Sequence, residues 1–124
     1  MRRVLVIDDD DDIRMLVRLS LQRVGGLEVI EAVNGRDGLE VARAERPDAI
    51  LLDVMMPEMD GPATVLELRS RPETAAIPVV LLTAKVQPRD RERFQALPIA
   101  GTISKPFDPI RLPALIDELL GSGG

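Results

Sequence analysis

The chain has 124 residues, 45% of them hydrophobic, and a formal net charge of −5; it is long enough for one domain with a real core and carries the wrong sign for a main partner with a phosphate backbone. Cys and His are absent, which excludes disulfides, thiolate or His-ligated metal sites, Ser-His triads and a phosphohistidine on this chain. Trp and Tyr are absent too, no apolar run reaches the ~20 residues of a membrane span, and "MRRVLVID" enters a strand too early for a signal peptide, so a soluble, cytoplasmic protein without an aromatic-clamped cofactor is expected.

Short apolar runs alternate with longer amphipathic stretches. Val4–Ile7 reads as a first strand and runs straight into five aspartates, Asp8 to Asp12. The next stretch, "DIRMLVRLSLQRVGG", puts Ile13, Leu16, Val17, Leu21 and Val24 on one helical face and stops at Gly25-Gly26. Leu27–Ala32 is a second strand. Asn34 caps a helix that ends before Pro47. Ala49–Asp53 is a third strand, followed by a loop and a helix from Pro62 to Arg69 behind Asp60-Gly61. "RPETAA" links to a fourth strand, Ile77–Thr83. "QPRDRERFQAL" is a short charged helix, Ile99–Ile103 a weaker fifth strand, and Leu112–Leu120 a last helix with Pro113 in its first turn. "GSGG" reads as a frayed end.

The third and fourth strands, "AILLD" and "PVVLL", are apolar without alternation. Such strands are buried on both faces, as in a parallel sheet covered by helices, and right-handed crossovers then give a doubly wound α/β fold. In that fold the carboxyl ends of all strands share one edge, where ligands bind. Asp8-Asp9, Asp53, Thr83 and Lys105 each follow or end a strand, so three carboxylates, a hydroxyl and an ammonium converge there. Crowded carboxylates repel. With no nitrogen or sulfur ligand in the chain, oxygen donors of this kind favour Mg²⁺. A site of Mg²⁺, Lys and a hydroxyl around a free carboxylate suits phosphoryl transfer onto that carboxylate. Asp8 and Asp9 are the candidate metal acids. Asp10, Asp11 and Asp12 fall in the loop and first helical turn, where they cap free N–H groups and complement the positive helix end. Of the 16 basic residues only Lys85 and Lys105 are Lys, and a compact ammonium suits the strand-five position.

The motifs "VLVIDDD", "ILLDVMMPEMDG", "VVLLTA" and "GTISKPF", in this order and spacing, closely resemble the receiver (CheY-like) domain of two-component response regulators over essentially the whole chain. The resemblance implies a flavodoxin-like, five-stranded parallel sheet of order 2-1-3-4-5 with helices on both faces, a receiver domain over 1–121 and a flexible tail over 122–124. It implies that Asp53 is the phosphoacceptor. The donor would be a histidine kinase, a histidine phosphotransfer protein or a small acyl phosphate, and a downstream protein target would read the result. By the same resemblance Asp8 and Asp9 position Mg²⁺, one directly and one through water, and the Met55 main-chain carbonyl completes the protein's share of the metal shell. Lys105 pairs with the phosphoryl group, Thr83 donates a hydrogen bond to it, and small Ala84 leaves an approach path. The Lys105–Pro106 peptide is expected to be cis. One position departs from the pattern: Thr102 stands where the family often carries the Tyr or Phe of an aromatic switch.

The expectation is therefore a signalling switch that catalyses only its own phosphorylation and dephosphorylation. It is a stand-alone regulator, a phosphorelay shuttle or phosphate sink, or a receiver excised from a larger response regulator or hybrid kinase. Two other classes are weighed against it. A phosphohydrolase with an aspartyl-phosphate intermediate usually needs a second acid two residues after the nucleophile, where this chain has Met55. A pure interaction module would not need the complete set of acids, Thr and Lys.

Overall fold

A computed structural model describes residues 2–84 and 88–121; the expected tail at 122–124, Lys85 and the expected start of the fourth helix at Gln87 lie outside them. Its elements are β1 (Arg3–Ile7), α1 (Asp11–Leu19), β2 (Glu28–Ala32), α2 (Gly35–Glu45), β3 (Ala49–Asp53), α3 (Gly61–Arg69), β4 (Val79–Thr83), α4 (Pro88–Gln95), β5 (Gly101–Ser104) and α5 (Leu112–Leu119). All four strand pairings are parallel, in the order β2-β1-β3-β4-β5, which is the doubly wound sheet the apolar runs predict.

Successive strand side chains point to opposite faces, and the two faces form separate cores. Leu5, Ile7, Ile50, Leu52, Val79 and Leu81 pack with Leu39 of α2, Val65 and Leu68 of α3, and Phe94 of α4. Val4, Val6, Leu51, Val80 and Leu82 pack with Val17 and Leu21 behind β1, and with Leu112 and Ile116 of α5. Each large side chain so buried stabilises the fold by about 1.5–3 kcal/mol. The chain goes from β1 to β2 on one side and crosses back to β3 on the other. The helices that follow β1 and β2 therefore lie on opposite faces, and a crevice opens beyond the carboxyl ends of β1 and β3.

Three of the helices start on capping side chains. Asp10 accepts from the amides of Asp12 and Ile13, Asn34 from that of Asp37, and Asp60 from that of Ala63. Each such cap is worth ~1 kcal/mol. Asp10 is thus a structural acid, as its place in the acidic run suggested.

The first helix differs from its expected face. Val17 and Leu21 are fully buried, but Leu16 and Val24 are 37% and 47% exposed. After α1 the chain widens into a π-helical segment, Ser20–Val24, closed by the Gly25 amide donating to the Ser20 carbonyl at 3.3 Å. A bond that spans one extra residue breaks the 3.6-residue register, so Val24 no longer follows Leu21 inward. Ser20 turns in instead, and its hydroxyl donates to the Pro109 carbonyl ahead of α5.

The start of the sheet rests on an acid that the periodicity of the chain does not reveal. One carboxylate oxygen of Asp48 accepts from the amides of Arg2 at 2.9 Å and Arg3 at 3.0 Å, and these bonds hold its pKa below the usual carboxylate value. A depressed pKa means stability that is present above the unfolded value, near 3.8, and is lost as pH falls through the folded value. Asp48→Asn is expected to lower stability at neutral pH, with the difference from the parent chain vanishing in acid below that window. Denaturant melts from neutral pH down to strong acid check this.

Candidate functional site

The crevice is filled by the residues that leave the strands. Asp8, directly after β1, is fully buried. One of its carboxylate oxygens accepts from the Asp10 amide at 2.9 Å and the other from the Lys105 ammonium at 3.2 Å. Asp53 ends β3 at 5% exposure, and Lys105 donates to it as well, at 2.9 Å. Asp9 is exposed at the mouth. Carboxylate oxygens of Asp8, Asp9 and Asp53 all lie within 4.8 Å of one another. The sequence predicted this convergence of residues 8, 9, 53 and 105, and the structure brings them together.

Lys105 arrives from the far side of the sheet. It follows β5, and its amide donates to the Thr83 carbonyl at 2.7 Å, extending the β4–β5 pairing by one step. The Lys105–Pro106 peptide is cis, as expected. Thr83, at the end of β4, is 2% exposed, and its hydroxyl has no hydrogen-bond partner among the described residues. A buried hydroxyl without a partner is uncommon and marks a place where a ligand oxygen fits. Ala84 beside it is exposed, which leaves the approach to the crevice open.

The electrostatics are unbalanced. Two unit charges within 4.8 Å of each other repel by about 3.5 kcal/mol or more at an effective dielectric constant near 20. Burial pushes the Asp8 carboxyl above its ordinary pKa; the Asp10 amide bond opposes this, the Asp53 charge adds to it, and Lys105 pulls the other way. Burial works against the Lys105 ammonium, yet its hydrogen bond to Asp53 and the charges of both acids outweigh that and raise its pKa. One ammonium against three carboxylates leaves two negative charges, which a single divalent cation would neutralise. The donors are all hard oxygens, with an exposed mouth for water or a phosphoryl oxygen, and this chemistry fits Mg²⁺.

The loop after Asp53 has little slack. The Gly61 amide donates to the Val54 carbonyl at 2.9 Å, and a Cβ at Gly61 would sit 2.8 Å from the Asp53 carbonyl oxygen. Backbone cannot yield at that distance, so glycine here keeps the loop against the end of β3. Met55 is 74% exposed, whereas Met56 is buried and Met59 packs on the core. That suits the expected role for Met55, which involves its main chain alone. Thr102 is exposed and lines a recess between α4 and β5 of about 440 Å³, shared with Phe94, Leu97 and Ile99 and away from the carboxylates.

Sequence reasoning missed Arg14. Its guanidinium donates to the main-chain carbonyl of Asp8 at 2.7 Å, to the carboxylate of Glu31 at 3.3 Å and to that of Asp11. The Asp11/Arg14 spacing on one helix was a visible signal for the last of these; the bond to Asp8 left none.

Residues 4–117 match the family described as response regulator receiver domain. The chain is 33% identical to Protein PilH of Pseudomonas aeruginosa over 97% of its own length and 98% of that protein. It is 34% identical to the alkaline phosphatase synthesis transcriptional regulatory protein PhoP of Bacillus subtilis, over 96% of its own length and 48% of PhoP. The chain spans about half the length of PhoP and of several other curated relatives it matches. Among solved structures, chemotaxis protein CheY4 of Vibrio cholerae superposes with a TM-score of 0.88 at 34% identity, covering 96% of this chain and 98% of CheY4.

Proposed function

The chain belongs to the response regulator receiver domain family, and from that membership we propose that it is a phosphoacceptor switch of a two-component system with Asp53 as the acceptor. The observation that carries this reading is the Lys105 ammonium spanning Asp8 and Asp53 in a pocket shared with Asp9. A carboxylate oxygen of Asp53 forms a bond to phosphorus. At the same time the bond from phosphorus to the donor's nitrogen (phosphohistidine) or oxygen (acyl phosphate) breaks, and the donor group leaves with that electron pair. Lys105 then faces the transferred group and offsets its charge, and the Thr83 hydroxyl, without a partner among the described residues, donates to one of its oxygens. Asp8, Asp9, Asp53 and the Met55 carbonyl would hold Mg²⁺, which when bound supplies the charge that lets an anionic donor approach three acids.

We read the activity as confined to the chain's own phosphorylation and dephosphorylation. Met55 occupies the position where a phosphohydrolase of this kind needs an acid, which supports that reading. The partners are then a histidine kinase or histidine phosphotransfer protein and a downstream protein target, without direct binding of nucleic acid or membrane. Among the described residues no helix is long and apolar enough to cross a membrane; a histidine-kinase phosphodonor supports a reaction in the cytoplasm. With Thr102 in place of a ring, movement at Thr83 is what would shift the surface of the fourth helix and fifth strand for the target. A phosphotransfer profile with labelled histidine kinases of the source organism tests the assignment, together with pull-downs with and without beryllofluoride. Rapid label transfer from one or a few kinases is expected; transfer from neither kinases nor acyl phosphate contradicts it.

A further inference from the structure

We propose that Arg14 is a positioning residue for the metal acids, holding the Asp8–Asp9 peptide so that Asp9 is presented to the divalent cation. The proposal rests on the reading of Asp8, Asp9 and Asp53 as that cation's site. The Asp8 carboxylate has holders of its own in the Asp10 amide and Lys105. Asp9 is exposed, and among the described residues no hydrogen bond holds its carboxylate, so its direction is set by its backbone. That backbone begins at the Asp8–Asp9 peptide, a rigid plane. The preceding peptide is fixed by its Asp8 N–H donating to the Ala32 carbonyl of β2 at 3.2 Å, and the carbonyl of the Asp8–Asp9 peptide itself is fixed by Arg14 at 2.7 Å.

Arg14 can act as a clamp because it is itself pinned. Its side chain is 12% exposed, and its fork reaches the end of β1, the first turn of α1 through Asp11, and β2 through Glu31. Arg18 holds the second oxygen of Glu31 at 2.9 Å. Two arginines face two acids in this cluster, so it projects little net charge into the crevice. Its effect on the site is geometric, and a lysine at position 14 would keep the charge but not the planar fork.

The test is Mg²⁺ binding to the full chain, measured by calorimetry and by amide shifts, because the chain has no Trp or Tyr to report by fluorescence. For Arg14→Lys the dissociation constant is expected to rise about tenfold, the usual loss when an outer support of a metal ligand is removed, and labelling by acyl phosphate should recover at raised Mg²⁺. Arg18→Lys, which touches Glu31 but not Asp8, should bind as the parent chain does. Unchanged affinity in Arg14→Lys, or equal weakening in Arg18→Lys, overturns the proposal while leaving the cation site intact. A parent chain that binds no Mg²⁺ overturns the site and the proposal together. Should Arg14→Lys fail to fold, the terminal Nη–H signals of Arg14 in the parent chain decide, because one of them donates to the Asp8 carbonyl: a resolved, slowly exchanging Nη–H with a through-hydrogen-bond coupling to the Asp8 carbonyl supports the clamp, and Nη–H exchange as fast as that of an exposed arginine overturns it.

Discussion

Asp53→Asn is expected to abolish phosphoryl uptake. With Mg²⁺ and a small acyl phosphate, intact-mass spectrometry of the parent chain should show one added phosphoryl group, and the Asn variant none above background. The substitution keeps the shape of the side chain but removes its anionic oxygen, and a neutral amide is not a nucleophile toward phosphorus. Two other carboxylates stand within 4.8 Å, so the experiment also asks whether proximity alone suffices. The geometry says that it does not: the Asp8 carboxylate already has a bond to each oxygen, and Asp9 lies at the mouth without Lys105 beside it. The variant should fold, because it removes one of three repelling charges. Labelling equal to that of the parent chain would remove Asp53 from the acceptor role.

Asp8→Asn should separate stability from function in one residue. Asp8 is fully buried, and burial, ahead of its other influences, raises its pKa. A carboxyl whose folded pKa is raised is ionised at a cost at neutral pH, and the fold regains that cost as pH falls through the folded value. Asparagine accepts the same bond from the Asp10 amide without carrying the charge. The burial cost of the Asp8 charge is the first of its influences, so the variant is expected to be more stable at neutral pH without metal, Lys105 keeping its bond to Asp53. Its advantage should shrink in acid and disappear below the ordinary carboxylate range. Its Mg²⁺ affinity should fall by at least the tenfold typical of disturbed metal ligation, and with it the stabilisation that added Mg²⁺ gives the parent chain. Thermal melts with and without Mg²⁺ across pH check both halves. A variant less stable than the parent chain without metal would contradict the charge-crowding account.

Much of this architecture was legible because it repeats. The third strand has the bounds read from "AILLD", Ala49–Asp53, since a strand buried on both faces announces itself as an unbroken apolar run. The site was legible because a parallel sheet delivers the residues that end or follow its strands to one edge; once the strands were placed, Asp8, Asp53, Thr83 and Lys105 were expected at that edge. Periodicity cannot show side chains that bind distant main chain. Asp48 anchors the amides of Arg2 and Arg3, and Arg69 donates to the carbonyls of Ala75, Ile77 and Pro98, yet each sits in a stretch that reads as ordinary loop or helix. The π-helical segment was hidden for a related reason. Val24 continues an α-helical stripe on paper, and only the Ser20–Pro109 bond and the contact with α5 favour the wider turn.

The most direct test of the convergence around Asp53 is a crystal structure with Mg²⁺ and beryllofluoride. The account predicts beryllium on an Asp53 oxygen, Lys105 and the Thr83 hydroxyl on its fluorines, and one metal ion bounded by Asp8, Asp9, Asp53 and the Met55 carbonyl. Beryllofluoride on another acid, or a metal ion bound with Asp9 and Lys105 turned away from Asp53, would contradict it.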